Sequence, residues 1–160
     1  MAIKVGDTVP SMKLTMATPD GPKETSTDEI FKGKKVVLFA VPGAFTPTCS
    51  NKHLPGFVEN ADAIKRKGID TIACIAVNDA FVMGAWGKSQ GTDGKVVMLA
   101  DGSGTFAKAL GLEFDLVARG LGVRSQRYAL VADNGKVTHL AVEQAGGFDV
   151  SKAESILAQL

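Results

Sequence analysis

Val36-Val37-Leu38-Phe39-Ala40-Val41 runs directly into Pro42-Gly43-Ala44-Phe45-Thr46-Pro47-Thr48-Cys49-Ser50. Six consecutive apolar residues, with no alternation, read as a strand buried on both faces. Pro47 has no N–H to lose, and its fixed φ suits the first position of a helix. It also pushes Thr46 out of the helical region, as a residue at the N-cap requires. The stretch is therefore a buried strand, a short glycine-bearing loop and a helix start. Junctions of this kind in open α/β sheets are where ligands tend to bind.

Working outward, further apolar runs of strand length lie at Thr71-Val77, Val96-Ala100, Tyr128-Ala132 and Val137-Val142. Helical spacing links Leu54, Phe57, Val58, Ala61 and Ile64, and Gly68 stops that run. Phe81, Val82, Ala85 and Trp86 form a second stripe, opened by Asn78 or Asp79; Phe106, Ala109 and Leu110 form a third, closed by Gly111. Ser26 and Glu29 have capping-box spacing, as do Ser151 and Glu154 before a last helix. Asp133-Asn134-Gly135 joins two strand patterns as a hairpin turn. The order β-α-β-α-β-α, hairpin, helix implies an α/β sandwich with a mixed central sheet flanked by helices. With no repeat, linker or low-complexity tract, residues 1–160 are expected to form one domain.

Eighteen Lys+Arg against 17 Asp+Glu leave a formal charge of +1, which gives no electrostatic case for nucleic acid or an anionic membrane. No apolar run approaches the roughly 20 residues that span a bilayer. The start of the chain lacks the apolar stretch of a secretory signal, so a reducing cytoplasmic setting is expected. Two cysteines and two distant histidines offer neither a disulfide scaffold nor a zinc site. No metal and no cofactor are expected.

With Thr46 at the N-cap, Cys49 is the third residue of the helix. Unpaired backbone N–H groups and the positive end of the helix dipole both favour a thiolate there. The Thr46 hydroxyl is expected to lie near the sulfur. Free cysteines are most often small buried hydrophobes; one in the first turn of a helix behind a glycine loop points to an activated nucleophile.

Pro42-x-x-x-Thr46-x-x-Cys49 resembles the peroxidatic loop of the peroxiredoxins. The longer stretch from Pro42 to Ser50, with His53-Leu54-Pro55-Gly56-Phe57, is similar to the type II or peroxiredoxin 5 group. The likeness continues in Cys74-Ile75-Ala76-Val77-Asn78-Asp79, Leu99-Ala100-Asp101-Gly102 and Arg124-Ser125-Gln126-Arg127-Tyr128, and spans nearly the whole chain. It implies a thioredoxin-like fold and thiol-dependent reduction of hydrogen peroxide and organic hydroperoxides. By the same resemblance Cys49 is the nucleophile that becomes a sulfenic acid, Arg127 the catalytic arginine, Thr46 a donor, and Pro42 the shield of the sulfur. Phe45, Thr48, Arg124 and Leu121 are expected to bound the substrate pocket, with Leu116 and Val117 alongside. Arg124 is also a candidate to orient the loop.

His53 lies four residues after Cys49, on the same helical face. The helix field and an arginine already account for activation, so packing is its expected role, and Pro55 disturbs the helix nearby. His139 alternates with apolar neighbours and is expected to face solvent. Cys74 sits in an apolar strand and is read as structural, with a resolving role as the alternative. The segment Gly146-Gly147-Phe148-Asp149-Val150-Ser151 carries no cysteine, unlike some type II relatives. That shifts the expected reductant to an external thiol, glutathione with glutaredoxin or thioredoxin. A homodimer is expected from the resemblance. A general thiol–disulfide oxidoreductase would want C-x-x-C, but positions 46 and 52 are Thr and Lys. A one-shot redox switch would stop after one equivalent of peroxide. A cysteine hydrolase would need a paired His and Asp or Asn pattern.

Overall fold

The computed structural model describes residues 2–160. The strands are β1 (Lys13–Thr18), β2 (Gly21–Ser26), β3 (Lys35–Val41), β4 (Thr71–Ala76), β5 (Val97–Ala100), β6 (Glu113–Leu116), β7 (Gly122–Ser125), β8 (Tyr128–Asp133) and β9 (Lys136–Val142). The helices are α1 (Thr27–Phe31), α2 (Leu54–Glu59), α3 (Ala61–Arg66), α4 (Ala80–Gln90), α5 (Thr105–Leu110) and α6 (Ala153–Leu157). Seven strands form one sheet in the order β2-β1-β5-β4-β3-β8-β9, and β6 and β7 form a separate antiparallel ribbon.

At the centre, β3, β4 and β5 are parallel, while β8 joins β3 antiparallel. The apolar run of β3 divides by alternation. Val37, Phe39 and Val41 enter a core with α2, α3, α4 and α6; Val36, Leu38 and Ala40 enter a second core with α1 and α5. Two covered faces are why this strand tolerates no polar position. The sheet is mixed and flanked by helices, and the fold is thioredoxin-like.

All five strands expected from apolar runs are present within a residue or so. The hairpin turn at Asn134-Gly135 has φ of 51° and 81°, the left-handed pair such a turn needs. Strands β1, β2, β6 and β7 were not anticipated. Strand β2 is a sheet edge, β1 lies next to it, and β6–β7 is a separate ribbon; all four are partly in solvent and carry too little apolar residue to stand out.

Four local expectations are corrected. Helix α4 buries Ala80, Met83, Trp86 and Gly87, while Phe81 is 75% exposed and Ala85 is exposed too. Gly87 is invisible to a hydropathy pattern, yet a Cβ there would lie 2.8 Å from both Met98 and Thr92. In α5, Ala107 rather than Ala109 faces the core. Ser151 does not cap α6. Lys152 is its N-cap, and the Ser151 hydroxyl bonds to Glu143 instead. His139 is half-buried, paired across the sheet with Val131. Ser26 does cap α1, accepting from Glu29 N–H at 3.2 Å. Asp79 caps α4, accepting from Val82 N–H at 2.8 Å.

Candidate active site

The C-terminal end of β3 delivers the chain to a tight turn over Gly43–Thr46. Thr46 N–H reaches Gly43 O at 3.4 Å, and the Thr46 hydroxyl donates to the same carbonyl at 2.7 Å. Phe45 takes a left-handed φ of 64°, an uncommon conformation for a bulky residue that costs on the order of 1–3 kcal/mol. Asn78, two residues past β4, accepts from Ala44 N–H at 2.9 Å and pins the turn. The helix begins at Pro47, and its first backbone bond runs from Ser50 N–H to Thr46 O at 2.9 Å. Thr46 is thus the N-cap and Cys49 the third helical residue, as the spacing predicts. The Thr46 hydroxyl, however, is positioned by Gly43 rather than by the backbone of the first turn.

From Cys49 to His53 the helix widens to a π-turn, closed by Leu54 N–H on Cys49 O. Pro55 is the cause: it has no N–H for residue 51 and its ring crowds that carbonyl. Trp86 Nε1 donates to Ser50 Oγ at 2.9 Å, and Gln90 Nε2 donates to Ser50 O at 3.1 Å. These two bonds tie the widened turn to α4.

Cys49 is fully buried, as is Cys74, and both are free thiols. Arg127, one residue before β8, places Nη2 at 3.1 Å from Cys49 Sγ. Its Nη1 meets His53 Nδ1 at 2.8 Å. His53 Nε2 lies 3.0 Å from the Ser151 carbonyl. A carbonyl only accepts, so Nε2 carries the proton and Nδ1 offers its lone pair to the guanidinium. His53 is therefore more than packing: it is the partner that orients the Arg127 fork. Sequence spacing put it on the right helical face but could not name its partner, which is 74 residues away.

His53 is completely buried among Phe39, Phe57 and Phe148, at centroid distances of 4.9, 5.6 and 5.2 Å. Burial first, and the charge of Arg127 second, hold its pKa down to about 3, from an ordinary value of 6.5. A group whose folded-state value is depressed gives stability that is present above its unfolded value and is lost as pH falls towards the folded one. Urea midpoints are therefore expected to fall between pH 6.5 and 3, and His53→Gln is expected to flatten part of that slope. An unchanged slope in the variant would mean that His53 already titrates normally in the folded chain.

A hollow of about 560 Å³ opens beside this group. Pro42, Thr46, Thr48, Leu116, Leu121, Arg124, Arg127 and Glu143 are among the residues that line it. Thr48, Leu121 and Arg124, three of the residues expected to bound a substrate pocket, line this hollow. Phe45 does not. It is 56% exposed, its ring centroid lies 6.5 Å from that of Trp86, and it is no part of the hollow, because the left-handed turn aims it away. Val117 is likewise exposed and outside it. Arg124 donates Nε to Leu121 O at 2.7 Å and Nη1 to Pro42 O at 3.3 Å, clamping the loop. A Cβ on Gly43 would lie 2.9 Å from the same Nη1, so a larger residue there would push the guanidinium aside.

Cys74 occupies the centre of β4, in the same apolar core as Cys49. Burial, and secondarily the nearby Cys49, push its thiol well above the ordinary value. It is a thiol rather than a thiolate, and so a poor nucleophile where it stands.

The chain is similar to known proteins over nearly its whole length. The Redoxin family model matches residues 4–157. Peroxiredoxin-2C of Oryza sativa subsp. japonica is 53% identical over 159 residues, covering 99% of this chain and 98% of its own. Peroxiredoxin-2B of Arabidopsis thaliana is 52% identical over 159 residues, with the same coverage. Reduced Prx3 from Vibrio vulnificus, solved in complex with hydrogen peroxide, superposes with a TM-score of 0.93 at 55% identity, over 98% of each chain. Family match, whole-length identity and fold agree: this chain belongs to the peroxiredoxins, within their type II group, and is a thiol-dependent peroxidase.

Proposed function

We propose that Cys49 is the peroxidatic nucleophile of a single domain spanning residues 1–160. The thiolate attacks the hydroxyl oxygen of the hydroperoxide. The S–O bond forms as the O–O bond breaks, and Cys49 becomes a sulfenic acid. The departing oxygen takes a proton and leaves as water or an alcohol. Negative charge passes from sulfur to two oxygens, so fixed donors must face both. Arg127 carries a permanent charge and a planar fork of donors. The backbone N–H groups of Thr48 and Cys49, ahead of the first helical bond, add theirs. The observation that carries this reading is Arg127 Nη2 at 3.1 Å from the sulfur while its other arm is held by His53. The peroxide complex of the Vibrio vulnificus relative is consistent with hydrogen peroxide as one substrate. Leu116 and Leu121 give the hollow an apolar side that suits alkyl hydroperoxides.

An external thiol, glutathione with glutaredoxin or thioredoxin, then attacks the sulfenic acid. Water leaves as a mixed disulfide forms, and a second thiol releases Cys49. Burial of Cys74 in the sheet supports this route over internal resolution. The test is intact mass after one equivalent of hydrogen peroxide, with a sulfenic-acid trap present. A trapped Cys49 adduct is expected. Loss of two hydrogens within one chain would mean a Cys49–Cys74 disulfide, and the external route would be wrong.

The same reading includes a homodimer in the cytoplasm. The exposed Phe45 and Phe81 are the large side chains a second copy would cover, and two free thiols suit a reducing compartment. Among the described residues no helix is long and apolar enough to cross a membrane.

A further inference from the structure

We propose that Glu143 is a positioning residue for peroxide reduction, acting through Ser151 and His53 on Arg127. Glu143 follows β9 directly, and its N–H donates to Arg127 O at 2.9 Å, so it stands opposite Arg127 where β8 and β9 end. It is only 8% exposed. One carboxylate oxygen, Oε2, accepts three bonds: from Asp149 N–H at 2.7 Å, Ser151 N–H at 2.8 Å and Ser151 Oγ at 2.7 Å. These bonds draw the loop between residues 144 and 150 back on itself. Burial opposes the charge, but the bonds from Ser151 and Asp149 outweigh it and hold the carboxyl below its usual range.

The loop closed in this way supplies three contacts to the His53–Arg127 pair. The Ser151 carbonyl takes the Nε2 proton of His53. Phe148 stands edge-on to His53 at 65°, and Arg127 Cζ lies 5.8 Å from the Phe148 ring centroid. Without the carboxylate, the N–H and hydroxyl of fully buried Ser151 lose their acceptor, which a buried backbone does not tolerate in place. As the loop shifts, His53 Nε2 loses the carbonyl that fixes its proton. Imidazole with the proton on Nδ1 would present a donor to the guanidinium, which is itself only a donor. The Arg127 fork would then leave the sulfur. The effect travels from Glu143 to Cys49 without Glu143 touching the reacting atoms.

The test is a double-mutant cycle on kcat/KM for hydrogen peroxide, read together with the His53 tautomer by nitrogen NMR of the reduced protein. Glu143→Ala is expected to lower kcat/KM about tenfold and to move His53 away from the Nε2–H tautomer. In a His53→Gln background the same substitution is expected to change kcat/KM by less than about twofold, since groups acting through one another are not additive. Glu143→Gln, whose amide oxygen can accept the same three donors, is expected to restore most of the rate. Equal losses in both backgrounds, or an unchanged tautomer in Glu143→Ala, would overturn the proposal. So would equal loss in Gln and Ala with the tautomer intact, which would assign the carboxylate charge to the substrate. The proposal rests on the role given to Arg127. A changed tautomer with unaltered kcat/KM would overturn it too, and would locate the failure in that role. Should Glu143→Ala not fold, Ser151→Ala removes one of the three bonds and keeps the carbonyl. Its expected two- to threefold loss, of order 0.5 kcal/mol, must likewise vanish in the His53→Gln background.

Discussion

Cys49→Ser is expected to consume no peroxide above background, a loss on the order of 10⁴-fold or more, the scale on which removing a nucleophile acts in other enzymes. Oxygen replaces sulfur with little change in volume, so the circular dichroism of the variant should match that of the parent. A serine hydroxyl gives up its proton far less readily than a thiol, and neither the helix start nor one arginine closes that gap. Normal turnover by this variant would refute the assignment of Cys49. Cys74→Ser is the matched control and is expected to keep turnover with glutaredoxin as donor. Its cost falls on stability, about 1–3 kcal/mol, because a hydroxyl in the apolar centre of β4 meets no partner. Loss of turnover with the fold intact would bring Cys74 back as a resolving cysteine.

Replacing Arg127 is expected to have the next largest effect. Arg127→Gln should lower the second-order rate with peroxide by about 10²–10³-fold, the usual scale for deleting a donor aimed at developing charge. Arg127→Lys should recover little of it. An ammonium restores the charge, but it lacks the rigid fork that bonds Cys49 Sγ through Nη2 and His53 Nδ1 through Nη1. Stopped-flow measurement of the reduced protein against peroxide separates the outcomes. A lysine variant within a few-fold of the parent would mean that charge alone is needed and that the bond to His53 is incidental. Arg124 gives the contrast. It clamps Pro42 O and Leu121 O and has no bond to the sulfur.

The sequence alone determined the central sheet and the chemistry-bearing turn. An uninterrupted apolar run such as Val36-Val41 has only one stable setting, between two covered faces. Pro47 behind Thr46 leaves only one place to begin a helix, and that places Cys49 in its first turn. The resemblance carried by Pro42, Thr46, Cys49 and Arg127 then implied the peroxidase. Each of these signals is read from its own short stretch of chain, although Arg127 acts on a sulfur 78 residues away.

The tertiary structure alone decided what the site does with them. Strands β1 and β2 form a local hairpin that joins the sheet where β1 pairs with β5, and β6 and β7 pair with each other; their half-exposed residues carry too weak a pattern to show either. Phe45 was expected at the substrate and points away from it, since the turn needs a left-handed residue there and so fixes where its ring goes. Ser151, spaced as a helix cap, is claimed by Glu143. His53 changes from a packed ring to the partner of Arg127 only because residues 53, 127 and 151 meet at one point. Hydrogen bonds between groups 74 or 98 residues apart leave no periodicity or spacing in the chain. They are set by which strands lie side by side, and that is fixed only when the whole core closes.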